Sequence, residues 1–259
     1  MELLLLLGGL GLVCGFLSGL LGIGGGIIMA PLLLFVPPTF GFEPLAMHTV
    51  AGLTIVQGLV ACLAGAVAHN KFHFVSGRLA GWMGGAIFIA SFLGGAASKY
   101  VDNKVLLVLF GCLAVAASAL MLMPNEQDQE SPDIKNLEFS RWRGLSTALG
   151  VGVLGGMVGQ GGSFILIPLL TSYVRIPTRI AVGSNLAIVL LSTAAAFIGK
   201  AMTGQIDWLL TIPIVLTVIP AASVGGYVSK KVPVLMLRRL LALFIALAAI
   251  RIWLSLVPL

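Results

Sequence analysis

The chain has 259 residues, of which 59% are hydrophobic and only 9% charged. A soluble domain carries about 25% charged residues, so most of this surface must face lipid. The formal charge of +6 resides mainly in short segments between apolar runs, where Lys and Arg set membrane topology. No basic stripe on a soluble module points to nucleic acid.

In chain order, the first apolar block covers about 3–37 and is interrupted by Gly22-Ile23-Gly24-Gly25-Gly26. Spans at about 46–68, 78–98 and 104–123 follow. A polar stretch then carries Glu126, Asp128, Glu130, Asp133 and Glu138. The pattern restarts with a block at 144–174, broken at Gly159-Gln160-Gly161-Gly162. Spans at about 181–202, 208–228 and 234–257 complete it. Runs of about 20 apolar residues cross a hydrocarbon core as helices, and continuous rather than alternating hydrophobicity argues against a barrel. No Lys or Arg precedes the first run, so it reads as a membrane segment rather than a signal peptide. The division is 1–124 for the first membrane unit, 125–143 for a cytoplasmic linker and 144–259 for the second unit.

The restart is an internal repeat. Gly15, Gly19, Gly22, Gly24 and Gly25 match Gly152, Gly156, Gly159, Gly161 and Gly162, and Pro31 matches Pro168, all at an offset of 137. Ala46-Met47-His48-Thr49 corresponds to Ala181-Val182-Gly183-Ser184, and Gly94-Gly95 with Ser98-Lys99 to Gly225-Gly226 with Ser229-Lys230. Repeated halves are a common plan for secondary transporters. If each broken block enters and leaves on one side, eleven of the fifteen Lys and Arg become cytoplasmic. Lys99, Lys104, Lys200 and Arg251 then remain outside. If each block crosses once, the bias disappears. The positive-inside rule favours the first arrangement. The expected fold is all-α and polytopic, with two inverted repeats, each a re-entrant or hairpin block followed by three transmembrane helices. Both termini lie outside.

Each glycine disfavours helix by about 1 kcal/mol relative to Ala, so the two clusters break their helices. Exposed backbone groups cannot face lipid and must line a cavity or pack on protein. Helix resumes near Ile27 and Phe164, where free N–H groups and the positive end of a dipole suit an anion. Gly22, Gly24, Gly25 and Gly26 therefore read as substrate-lining, as do Gly159, Gln160, Gly161, Gly162 and Ser163. Gly15, Gly19, Gly152 and Gly156 read instead as close helix packing. A nucleotide cradle fails because no GK[ST] follows.

His48-Thr49 and Ser184-Asn185 open apolar spans. They serve either as helix caps or as further lining of the anion site. Gln57 is either a ligand contact or an interhelical hydrogen bond. His69 and His73, with Lys71 between, read as interfacial; a metal would need a third ligand. Trp82, Trp142, Trp208 and Trp253 fit an aromatic belt. Cys14, Cys62 and Cys112 lie in apolar runs and read as core residues, with sulfur chemistry at Cys14 or Cys62 the alternative. No carboxylate falls deep in a span, which suits an anion better than a cation.

At Gly19-Leu20-Leu21-Gly22-Ile23-Gly24-Gly25-Gly26 with Pro31-Leu32-Leu33, and at the second copy with Ala181-Val182-Gly183-Ser184, the sequence resembles the sulfite exporter TauE/SafE family. The resemblance covers nearly the whole chain. Gln160 and Ser163 depart from it, since an apolar residue and a third glycine are usual there, and His48 replaces a small residue. The resemblance implies a secondary transporter of sulfur-containing anions such as sulfite, thiosulfate or organosulfonates, in a bacterial inner membrane and without a cofactor. The expected partners are the lipid bilayer, the small anion and a driving ion, proton or sodium; assembly as a homodimer is compatible. A membrane enzyme using His48 with Ser184 is the competing class, and an assembly factor with an obligate partner is a third.

Overall fold

The computed structural model describes residues 1–21, 24, 26–69, 77–122, 139–229, 232 and 234–256. Gly22, Ile23, Gly25, Lys71, His73 and the polar stretch 125–138 lie outside the described residues, as does the side chain of His69.

The described residues form helices and loops. In order these are α1 (Glu2–Leu21), α2 (Gly26–Thr39), α3 (Met47–His69), α4 (Gly77–Ala97), a 3-10 turn (Ser98–Tyr100) and α5 (Asn103–Leu122). Then follow α6 (Arg141–Val158), α7 (Ser163–Ser172), α8 (Thr178–Met202), α9 (Trp208–Ser229) and α10 (Val234–Leu256). Six helices among the described residues are long and apolar enough to cross a membrane. Their outer faces carry exposed apolar side chains such as Ile89, Leu93, Leu209 and Leu216, and the four tryptophans are exposed near helix ends. The chain is a multi-pass membrane protein.

The two broken blocks each pair a long helix with a short one. At 1.5 Å per residue, α7 is roughly 15 Å long and α2 roughly 21 Å, too short to cross about 30 Å of hydrocarbon. The α6–α7 unit is a hairpin. The chain reverses so sharply that a methyl group on Gly162 would meet Val151, two turns back along α6. At the open end, Arg143 Nη1 donates to Tyr173 O at 3.5 Å and its guanidinium lies 5.7 Å from the Tyr173 ring centroid.

Glycines set how closely the halves interlock. α1 packs along α9, and α6 packs along α4. A methyl group on Gly15 would stand 2.9 Å from Val218 Cα of α9; its repeat mate Gly152 faces Ile87 and Ala90 of α4. The close-packing reading of these glycines therefore holds, and so does that of Gly19 against Ala222 and Gly156 against Ser91. Conversely, Gly225 abuts Phe16 and Leu20 while its mate Gly94 abuts Val153. Phe16 and Val153 are themselves repeat mates, so each half grips the other through equivalent residues.

The centre is α3 against α8. Gly52 near the start of α3 faces Gln205 beyond the end of α8, whereas Gly58 faces Thr193. The two helices therefore run antiparallel. By contrast α4 and α8 run parallel, since Gly84 meets Leu191 and Gly95 meets Ala196.

Candidate functional site

Both breaks meet α3 and α8. The second lies between α6 and α7. α6 ends at Gly159, whose φ of 81° is the left-handed region. The Gln160 and Gly161 amides close back onto Gly155 O at 2.9 and 3.1 Å. Gly161 (φ 59°) and Gly162 (φ 71°) continue the left-handed path into α7. An L side chain is disfavoured at each, which accounts for three glycines in four positions.

The carbonyls of this break are tied off by hydroxyls. Thr54 Oγ1 of α3 stands 2.9 Å from Gly159 O, with its own helix carbonyl Val50 O equally near. Ser192 Oγ of α8 donates to Gly161 O at 2.8 Å. Ser91 Oγ lies 2.6 Å from Ser192 Oγ. Because Ser192 has one hydrogen and gives it to Gly161, Ser91 is the donor in that pair. The amides are less well served: among the described hydrogen bonds, the Gly162 and Phe164 N–H groups have no acceptor. Phe164 is fully buried and packs edge-on to Phe110 of α5, ring centroids 6.1 Å apart, which fixes the first turn of α7.

Three predicted residues stand out. Gln57 is fully buried, Gln160 is 2% exposed and Ser163 is 1% exposed. Neither polar atom of Gln57, neither of Gln160, nor the Ser163 hydroxyl has a hydrogen-bond partner among the described residues. Buried polar groups are nearly always paired, and each left alone costs about 1–3 kcal/mol. Gln160 reaches the first break: a methyl group on Gly26, the first residue of α2, would stand 3.0 Å from Gln160 Oε1. On the other side Gly24 (φ 69°) lies against Cys62, Val189 and the Gly58 carbonyl. Gln57 stands in α3 between Thr54, which meets the second break, and Gly58, which meets the first.

The other predicted pairs fall differently. His48 and Thr49 occupy the first turn of α3 and are half-buried. There the Asn103 carboxamide oxygen of α5 accepts the His48 amide at 3.0 Å, so a residue of another helix supplies the cap. Ser184 and Asn185 are fully buried but do not open their helix. α8 begins at Thr178, behind Pro177, three residues earlier than hydropathy suggested, which puts Ser184 almost two turns inside it. Their N-capping role is thereby ruled out. Counting from the Gly58–Thr193 contact along antiparallel helices, His48 and Ser184 are roughly 28 Å apart. They form no catalytic pair.

Sequence reasoning missed Thr54, Ser91, Ser192 and Lys200. The first three were legible as hydroxyls in mid-span. Lys200 was counted only as one of the outer-side charges; the structure shows it completely buried within the protein. Cys14 and Cys62 are buried free thiols and Cys112 an exposed one.

Comparison with known proteins agrees with this architecture. Residues 7–252 match the family model described as "Sulfite exporter TauE/SafE". A "Probable membrane transporter protein" of Xylella fastidiosa (strain 9a5c) is 29% identical over 99% of this chain and 98% of its own length. The "Probable membrane transporter protein YunE" of Bacillus subtilis is 25% identical over 84% of each. MJ0441 of Methanocaldococcus jannaschii, also named a probable membrane transporter protein, is 26% identical over 73% of this chain and 68% of its own. With interlocked halves, paired helix breaks and a family match over nearly its whole length, this chain belongs to the TauE/SafE sulfite exporter family of membrane transporters.

Proposed function

We propose that this transporter carries a small anion, a sulfur oxyanion or organosulfonate, through a site between its two helix breaks. The observation that carries the reading is the set of buried, unpartnered polar groups on Gln57, Gln160 and Ser163. At the second break the Gly159 and Gly161 carbonyls meet hydroxyls, while the amides of Gly162 and Phe164 remain open. In the backbone of this break the donors are spare and those two acceptors occupied, which favours a negatively charged solute over a cation, and each glutamine carboxamide can turn its NH2 toward it. The Gln160 and Gln57 carboxamides and the Ser163 hydroxyl add three side-chain donors to the α7 amides. The family's name supplies the sulfur chemistry, which the donors alone do not specify.

Alternating access by two inverted halves is the mechanism we attach to this site. The antiparallel pairing of α3 with its repeat mate α8 supports it, because an axis exchanging two antiparallel helices lies across them and in the membrane plane. Rocking one half on the other then opens the site to either side in turn, driven by a proton or sodium gradient. In a bacterium the inner membrane is the site of action.

The test is flux. Proteoliposomes holding the purified protein are expected to exchange labelled sulfite, thiosulfate or sulfoacetate. Gly162→Leu, which drives a side chain into Val151 of α6, is expected to abolish exchange while still inserting in the membrane. Absence of exchange for every anion in the panel would contradict the reading, and so would normal flux in the variant.

A further inference from the structure

Lys200 lies near the end of α8, inside the Ser184–Met202 span. Its Nζ donates to Ser98 Oγ at 2.6 Å, to Met157 O at 3.3 Å and to Gln205 Oε1 at 3.3 Å. An ammonium has three donors, and these acceptors use all of them. None of the three is charged. Asp207, two residues beyond Gln205, is exposed and caps α9 by accepting the Leu210 amide at 3.2 Å. The Lys200 charge thus has no anionic partner among the described residues.

A charge in that position needs a reason. Met157 O is one of the last carbonyls of α6, and tying it down is useful. A neutral donor would serve equally, at far smaller desolvation cost. Ionisable groups buried in a span are usually functional. The location suggests which function. Met157 precedes Gly159 by two residues. The Gln205 backbone abuts Gly52 of α3, adjacent to the Ala51 that packs on Gly159. The Lys200 amine therefore stands beside the second break. Lys200 has no repeat mate, since at the α3–α8 offset of 135 its counterpart is Gly65.

We propose that Lys200 is the fixed positive charge that draws an anion to the second break. It is a specificity-determining residue that acts through its field and keeps its three hydrogen bonds. The inference rests on the anion-site reading above and adds what that site lacks. Gln57, Gln160 and Ser163 are neutral donors and by themselves do not distinguish an anion from an uncharged polar solute.

Thermal stabilisation of the purified full chain, titrated with thiosulfate, tests this. Lys200→Gln removes the charge and keeps a donor. Gln205→Glu keeps the lysine and sets a carboxylate against it, cancelling the charge in place. Both are expected to raise the thiosulfate Kd on the order of tenfold or more, while Lys200→Arg stays close to the parent. A purely structural lysine predicts the reverse for Lys200→Gln: a lower melting temperature without anion and an unchanged Kd. An unchanged Kd in Gln205→Glu overturns the proposal even if Lys200→Gln does not fold. If no anion stabilises the parent protein, the anion-site reading falls and this proposal with it. If the parent responds and both charge-cancelled variants respond equally, only this proposal falls.

Discussion

Gln160 should invert the usual effect of deleting a buried polar group. A paired group holds the fold together, whereas an unpaired one strains it, by about 1–3 kcal/mol. Gln160→Leu keeps similar volume against Gly26 and is expected to leave the anion-free melting temperature unchanged or raise it by a few degrees, while the shift caused by thiosulfate disappears. Ser192→Ala should do the opposite. It orphans the Gly161 carbonyl and leaves the Ser91 hydroxyl without its acceptor, so the anion-free protein should lose on the order of 1–3 kcal/mol. Comparing the two melting curves separates a ligand-lining role from a scaffolding one. Gln57, Gln160 and Ser163 were legible because each is a polar residue within or beside an apolar run. Lys200 was not legible as a buried group. Hydropathy locates a charge along a span but cannot tell which face it occupies, and here the 3-10 turn after α4 and the end of α6 close over it.

Among the elements, the breaks depend on glycine for two separate reasons. Gly159 and Gly162 need left-handed backbone and also lie directly against Ala51 and Val151. Gly85 in α4 has nothing within 4 Å of where a methyl group would sit. Gly159→Leu is expected to abolish flux, with Gly85→Leu near normal; the same flux assay compares them. The starts of α2 and α7 were legible to within a residue, since a glycine run both breaks one helix and frees the next. The start of α8 was not. Its first turn, Thr178-Arg179-Ile180, is partly polar, so a hydropathy boundary falls late, and Pro177 rather than an apolar edge sets the beginning.

Across the whole molecule, reciprocal packing is the strongest regularity: Gly15 on Val218 with Gly152 on Ile87, and Gly94 on Val153 with Gly225 on Phe16. The repeat itself was visible in the sequence. That its matched glycines hold each half against the other was not, because identity at an offset says nothing about which surfaces meet. An inverted relation has a direct consequence for topology. Lys99 and Lys230 are repeat mates, so cysteines in their places should react with an impermeant thiol reagent from opposite faces of the membrane, Lys99→Cys from outside and Lys230→Cys from the cytoplasm. Labelling of both from one face would mean parallel halves and would end the rocking mechanism. The anion site itself is tested most directly by locating a bound anion. In crystals grown with selenite, a heavier analogue of sulfite, anomalous scattering should give a selenium peak between the breaks, within hydrogen-bonding reach of Gln57, Gln160 and Ser163. A peak elsewhere in the protein, or none at selenite concentrations that block thiosulfate flux, would contradict the account.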